Sequence, residues 1–360
     1  MENEKETVIS VRNLNVKFLS HGKKVHVIRD VSLDVYKGET LAIVGESGSG
    51  KSVFTKTFTG MLDANGYIDG GSVIIDGVDV SKFKKSKEWY GIRGKKIATI
   101  FQDPMTSLNP LLSIGYQISE VLRIHHGLSK KEAKEEAIKL LERVKIPNAR
   151  KRYDDYPFQY SGGMRQRVVI AIALACRPEI LICDEPTTAL DVTVQTQILD
   201  LIKELQQEYN WTIIFITHDL GVVAKVADRI AVMYGGQIVE VGTAEDVFYR
   251  PAHPYTWALL SSLPQLGSKE EPLLYIKGNP PTFGDEIIGD AFAPRNEYAM
   301  RIDYILDPPM TKISDTHSAK TWLLDKNAPK VKKPSIIRNL RERMEIAAKE
   351  LQKELGDYYE

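Results

Sequence analysis

The chain has 360 residues, too many for one ordinary domain and suited to one large or two smaller ones at roughly 100 to 200 residues each. Hydrophobic residues make up 43% and charged residues 27%, which excludes global disorder and allows a sizeable core. Lysine plus arginine equals aspartate plus glutamate at 48 each, so a net charge of zero offers no basis for nonspecific attraction to nucleic acid or anionic lipid.

The first residues, MENEKETVIS, are acidic and polar and lack the apolar stretch of a signal peptide. VISVRNLNVKF and VIRDVSLDVYKGE follow as β-rich runs and lead into the apolar strand LAIVG, residues 41–45. Loop GESGSGKS comes next, and VFTKTFTGML reads as a helix. Further buried strands are expected at KIATIFQ (96–102), EILICDE (179–185) and WTIIFITH (211–218), each followed by turn chemistry or a helix. Strands alternating with helices predict a largely parallel α/β sheet with its active loops at the carboxyl ends of the strands.

Between Gln102 and Tyr160 the texture changes. Ser129 and Glu132 predict a capping box for a helix through KKEAKEEAIKLLERVK, and this region is expected to be a helical insertion. The longest apolar run, Val168 to Cys176, falls short of the roughly 20 residues of a bilayer span. The two cysteines, Cys176 and Cys183, read as core residues of a protein in a reducing cytosol. After Val241 the chain turns proline-rich (RPAHPYTW, KGNPPTF, DPPMT) and is expected to form a separate small appendage, closed by an amphipathic helix from about Ile336 to Leu355.

Gly45, Gly50, Lys51 and Ser52 satisfy G-x-x-x-x-G-K-[ST] between a strand and a helix, the context that motif requires. The loop from Gly45 through Ser47, Gly48, Ser49, Gly50, Lys51 and Ser52 to Val53 would wrap phosphates with its N–H groups. Lys51 would supply positive charge, and the Ser52 hydroxyl would ligate Mg2+. Asp184 and Glu185 follow four apolar residues, a costly position unless a cation or a reacting water uses them. Asp184 would hold Mg2+ and Glu185 would polarise the attacking water. Gln102 and His218 also end buried strands: an amide there can reach Mg2+ or the water, and an imidazole can sense the terminal phosphate.

Residues 160–167, YSGGMRQR, present a second anion site without a metal ligand or base of its own. Ser161 can cap the helix beginning near Met164, and Gly162 and Gly163 clear the approach to its N–H groups. With the phosphate loop, Gln102, SGGMRQ, LICDEPTTALD and His218 in this order, residues 7–250 resemble the ATP-binding subunits of ATP-binding-cassette (ABC) transporters. That resemblance implies a RecA-like P-loop core with an N-terminal antiparallel β region, a helical subdomain at about 103–165, and ATP with Mg2+ as ligands. It also implies a head-to-tail dimer in which Ser161, Gly162, Gly163 and Gln166 serve the partner's ATP. Asp191 matches the family's interface loop, and Phe18 matches the aromatic that stacks on adenine.

RPAHPYTWALLSSLP and GNPPTF resemble the C-terminal extension of oligopeptide and dipeptide importer ATPases, which assigns residues 251–330 to that extension and 331–360 to the terminal helix. Such a subunit implies ATP hydrolysis at the cytoplasmic face of the membrane and a related ATPase partner, favouring a heterodimer. It further implies two transmembrane permeases docked near Met105 to Leu108 and an extracellular peptide-binding protein, with no nucleic acid partner. The rival is a soluble ABC ATPase acting on ribosomes or DNA, which the single cassette and the HPYT extension disfavour. Many relatives carry four cysteines in this extension that hold an iron-sulfur cluster; here Asp290, Asn296, Asp303 and Thr321 fall in their places, so no cluster is expected.

Overall fold

The β-rich runs at the start of the chain form β1 (Thr7–Ser20) and β2 (Lys23–Tyr36), an antiparallel pair interrupted by register shifts. The computed structural model describes residues 5–188, 190–263, 276–282 and 287–341. After β3 (Thr40–Val44) and α1 (Lys51–Thr59), β4 (Gly66–Ile75) returns to pair with β1, and the short β5 (Val78–Asp79) completes the sheet order β2-β1-β4-β5.

The second sheet runs through β3, β6 (Ile97–Ile100), β7 (Ile180–Asp184), β8 (Thr212–Thr217), β9 (Arg229–Tyr234), β10 (Gln237–Thr243), β11 (Met310–Lys312) and β12 (Ser318–Lys320). Its order is β11-β12-β10-β9-β3-β8-β7-β6. The stretch from β6 to β9 is parallel, as the alternating sequence predicts, whereas β10, β12 and β11 join antiparallel. β3 and β8 are buried at every position, which suits uninterrupted apolar runs in a sheet covered on both faces.

The insertion is helical: α2 (Pro104–Ser107), α3 (Ile114–His126), α4 (Lys130–Arg143) and α5 (Ala149–Arg152) precede α6 (Gly162–Cys176). The expected capping box is present on α4: the Ser129 hydroxyl accepts from Glu132 N at 3.3 Å, and the Glu132 carboxylate accepts from Ser129 N at 2.9 Å. α7 (Val192–Tyr209), α8 (Leu220–Val226), α9 (Ala244–Tyr249), α10 (Pro254–Ser261) and the single turn α11 (Ser335–Arg338) follow. None of the described helices is long and apolar enough to cross a membrane.

The separate appendage is not what the structure shows. β12 pairs with β10, so residues after 300 lengthen the core sheet. Tyr255, Trp257 and Phe292 share one buried cluster with Ala42, Val44, Ile230, Val232 and Tyr234 of the central strands. Each buried aromatic of this kind contributes a few kcal/mol, about 1.5–3 for a Phe-sized side chain, so the extension and the sheet support one another. A buried carboxylate reinforces the joint. Glu240, with no exposed surface, accepts from Ala252 N (2.7 Å), His253 N (3.0 Å) and the His317 ring (2.7 Å). Ile336, Ile337 and Leu340 pack into the same cluster; the remainder of the helix expected to run to Leu355 lies outside the described residues.

Candidate active site

The phosphate loop leaves β3 at Val44 and enters α1 at Lys51. A Cβ on Gly45 would sit 2.1 Å from the Met233 carbonyl oxygen, so only glycine lets the loop start hard against β9. Ser49 N donates to Glu46 O (3.2 Å) and Gly236 N donates to Ser49 O (3.0 Å), which tie the loop to itself and to the β9–β10 turn. The Lys51 side chain is buried and donates to Gly45 O (2.8 Å) and Glu46 O (2.9 Å). Burial pushes its pKa down, against the attraction of Glu185, Asp184 and Glu46.

The strand tips converge on this loop. Ser52 Oγ donates to Asp184 Oδ1 at 2.9 Å, so the two hard oxygen ligands expected for Mg2+ are adjacent. Burial raises the Asp184 pKa, with Ser52 opposing it, as suits a carboxylate in need of a nearby cation. Glu185 has a left-handed backbone (φ 47°), an uncommon state for a side chain of this size, and it turns out of β7 there. Its carboxylate accepts from Gln102 Nε2 (3.1 Å), Thr188 Oγ1 (2.9 Å) and His218 Nδ1 (3.2 Å). A carboxylate oxygen accepts, so Nδ1 is the donor in that pair.

These groups line a cleft of about 670 Å³ bounded by Gly45, Glu46, Lys51, Ser52, Gln102, Glu185, Thr188 and His218. Ser47, Gly48, Gly50 and Val53 line it as well, while Ser49 lies beneath, its buried hydroxyl without a hydrogen-bond partner. The orphaned hydroxyl, the buried ammonium and the Ser52–Asp184 pair form a donor set that fits a magnesium-bound polyphosphate.

The remaining residues singled out in the sequence lie elsewhere. Half-buried Phe18 covers Gly66, whose added Cβ would meet the ring at 2.7 Å, and it does not line the cleft. Exposed Ser161 caps α6, its hydroxyl accepting from Met164 N at 3.3 Å. Gly163 allows α6 to approach α7, since a Cβ there would meet Val194 Cγ1 at 2.6 Å. Gln166 is 1% exposed and neither atom of its amide has a hydrogen-bond partner. Asp191 caps α7, accepting from Val194 N at 3.0 Å. Within one chain, none of Ser161, Gly162, Gly163, Gln166 and Asp191 lines the phosphate cleft.

Sequence reasoning missed Thr188, although it stands three residues after Glu185 in DEPTT, the spacing at which a hydroxyl turns back on a carboxylate. It also missed Glu46, Tyr255 and Arg295. Arg295 makes a two-pronged ion pair with Glu46 at 2.6 and 3.0 Å, and Glu46 N donates to the Tyr255 hydroxyl at 2.8 Å. The four residues expected in place of cluster cysteines are each buried and locally engaged. Asp290, Asn296, Asp303 and Thr321 accept from the backbone N–H groups of Phe292, Tyr298, Met300 and Leu323 at 2.6–3.2 Å.

Residues 28–188 match the ABC transporter family model, and residues 239–302 match the model of the oligopeptide/dipeptide transporter C-terminal region. The chain is 59% identical over 344 residues to the oligopeptide transport ATP-binding protein AmiE of Streptococcus pneumoniae, covering 96% of this chain and 97% of that one. It belongs to the ATP-binding subunits of the peptide ABC transporters. Two further members of this family are the oligopeptide transport ATP-binding protein OppD of Bacillus subtilis and the dipeptide transport ATP-binding protein DppD of Lactococcus lactis. Each is 54% identical, covering 92% and 91% of this chain and 93% of the relative in both cases. A dimeric bacterial ABC transporter cassette matches this ABC subunit with a TM-score of 0.59 at 29% identity, covering 66% of this chain and 98% of the cassette.

Proposed function

We infer that this ABC subunit is the ATP-hydrolysing component that energises import of oligopeptides. The observation that carries the reading is Glu185, fixed by Gln102, Thr188 and His218 at the edge of the cleft that begins at Lys51. A carboxylate so held can orient a water against a terminal phosphate and accept its proton, while Lys51 and the loop N–H groups bind the polyphosphate. Mg2+, taken by Ser52 and Asp184 with Gln102 in reach, would neutralise developing phosphate charge. His218 keeps Glu185 oriented through its Nδ1 and stands in the wall of the same cleft, within reach of a terminal phosphate that it can sense.

In this reading Phe18 stacks on the adenine of the ATP held by Lys51 and Asp191 lies at the interface, whereas Ser161, Gly162, Gly163 and Gln166 act at the ATP of a second, related ATPase chain. Their absence from this chain's own cleft, and the Ser161 cap that leaves the start of α6 exposed, support action in trans. ATP favours the closed pair and hydrolysis releases it, and the helical insertion around Met105 to Leu108 transmits that change to two permeases. The subunit then sits peripherally at the cytoplasmic face of the membrane, and the peptide is delivered by an extracellular binding protein. The exposed side chains of Met105 and Leu111 on the insertion suit such a docking surface.

The test is ATP turnover by the co-purified complex in liposomes, with and without peptide-loaded binding protein, for wild type and Glu185→Gln. Peptide-stimulated turnover that collapses in the variant is the expected result. Robust turnover by the chain alone, indifferent to peptide and with no permease co-purifying, would refute the importer reading.

A further inference from the structure

Glu46 is a carboxylate in the wall of a cleft built for phosphates, where an unpaired negative charge would oppose the ligand. Its partner comes from the far end of the chain, 249 residues later. Arg295 Nη1 donates to Glu46 Oε2 at 2.6 Å and to the Tyr234 hydroxyl at 3.1 Å, and Nη2 donates to Glu46 Oε1 at 3.0 Å. Its Nε donates to Lys277 O at 2.9 Å. The guanidinium is thus anchored on the extension side by a main-chain carbonyl and presents its fork to the loop. The Arg295 side chain is 5% exposed and that of Glu46 is 26% exposed, so the pair is shielded on one side and meets the cleft on the other. Burial alone would lower the Arg295 pKa; its bonds to Glu46 and Tyr234 reverse that and hold it above the ordinary value. Glu46 is held at its backbone as well, through the hydroxyl of fully buried Tyr255.

We propose that Arg295 is a positioning residue for the nucleotide site: it neutralises Glu46 and fixes the start of the phosphate loop, making the C-terminal extension a working part of ATP binding. This rests on the reading of Gly45–Val53 as the ATP-binding loop. Two consequences follow from the chemistry. Loss of Arg295 leaves a carboxylate facing the incoming polyphosphate, so binding weakens by repulsion as well as by loop freedom. Removing the Glu46 charge at the same time removes the repulsion, so the second substitution repairs the first.

The experiment is steady-state ATPase and equilibrium MgATP binding by the full chain in its permease complex, comparing wild type, Arg295→Ala, Arg295→Lys, Glu46→Gln and the double variant Glu46→Gln/Arg295→Ala. Arg295→Ala should raise KM and Kd for ATP about tenfold while kcat stays within about twofold, because the reacting groups are untouched. Arg295→Lys, which keeps the charge and loses the fork, should lie between, and it stands in for the alanine variant if that one does not fold. The double variant should return KM to within about threefold of wild type, the pattern of two coupled residues. A double variant as weak as Arg295→Ala would mean that Arg295 merely props the extension, and an unchanged KM in both arginine variants would equally overturn the proposal. Failure of the wild type to bind MgATP would instead sink the underlying reading of the loop, before any variant was compared.

Discussion

His218 Nδ1 meets Glu185 Oε1 at 3.2 Å, across the ends of the neighbouring parallel strands β7 and β8. Neither side chain reaches the other by local sequence; parallel pairing of two strands brings the imidazole beside the carboxylate. The same pairing places Asp184 opposite Ile216 in the register and leaves Glu185 as the first residue beyond β7.

Glu185→Gln keeps the size of the side chain and its hydrogen-bonding reach but cannot take a proton at this position. Phosphate release by the complex should fall by about 10²- to 10⁴-fold, with MgATP binding retained. Filter binding alongside turnover distinguishes lost chemistry from lost affinity. Comparable loss of both would show that Glu185 holds the nucleotide and does not serve the water.

Gly45→Ala drives a methyl group into a backbone oxygen, 2.1 Å from Met233 O, where no flexible side chain can move aside. Stability should fall by about 1–3 kcal/mol, and MgATP binding should be lost because the loop must leave β9. Denaturant unfolding read beside nucleotide binding checks both effects.

Ser161→Ala removes the cap of α6 and should cost about 1 kcal/mol in thermal unfolding of this subunit. In the assembled ATPase pair it should also impair the site carrying the partner's lysine, where a lost phosphate donor weakens the transition state by on the order of 3 kcal/mol. ATP binding at Lys51 should stay close to wild type. Measuring each site with its own lysine disabled separates the two.

Asp290 gives the chain a pH-dependent term. Burial pushes its carboxyl up to about 6, against the Phe292 N–H that it accepts. The folded state therefore favours the protonated form. Its stabilising contribution is complete below about pH 4 and is lost as pH rises through about 6. Asp290→Asn keeps the oxygen that accepts from Phe292 and removes the ionisation. Relative to wild type it should be near neutral at pH 4 and gain about 3 kcal/mol above pH 6. A gain independent of pH in melting experiments would contradict this.

The parts of the site legible in the sequence were those in which the chemistry is written in consecutive residues. Gly45 to Ser52 declares itself because a tight phosphate loop needs glycines and a lysine at fixed spacing, and Ser161 because a helix cap sits next to the helix it serves. Asp184 and Glu185 stand out because adjacent acids are rare at the end of an apolar strand. Thr188 escaped because a threonine in a turn has many ordinary uses until its hydroxyl is seen 2.9 Å from Glu185.

By itself the sequence determined the kind of ligand and the parts available to act on it: local hydrogen bonding, charge and helix periodicity operate over a few residues and leave their mark there. Only the tertiary structure decided that β3 lies between β8 and β9, that β12 extends the core sheet, and that Arg295 reaches Glu46. Those relationships depend on strand order and on burial shared across the whole chain. A proline-rich tail that looks detachable along the sequence becomes, once its aromatics are buried against β3 and β9, a wall of the phosphate site.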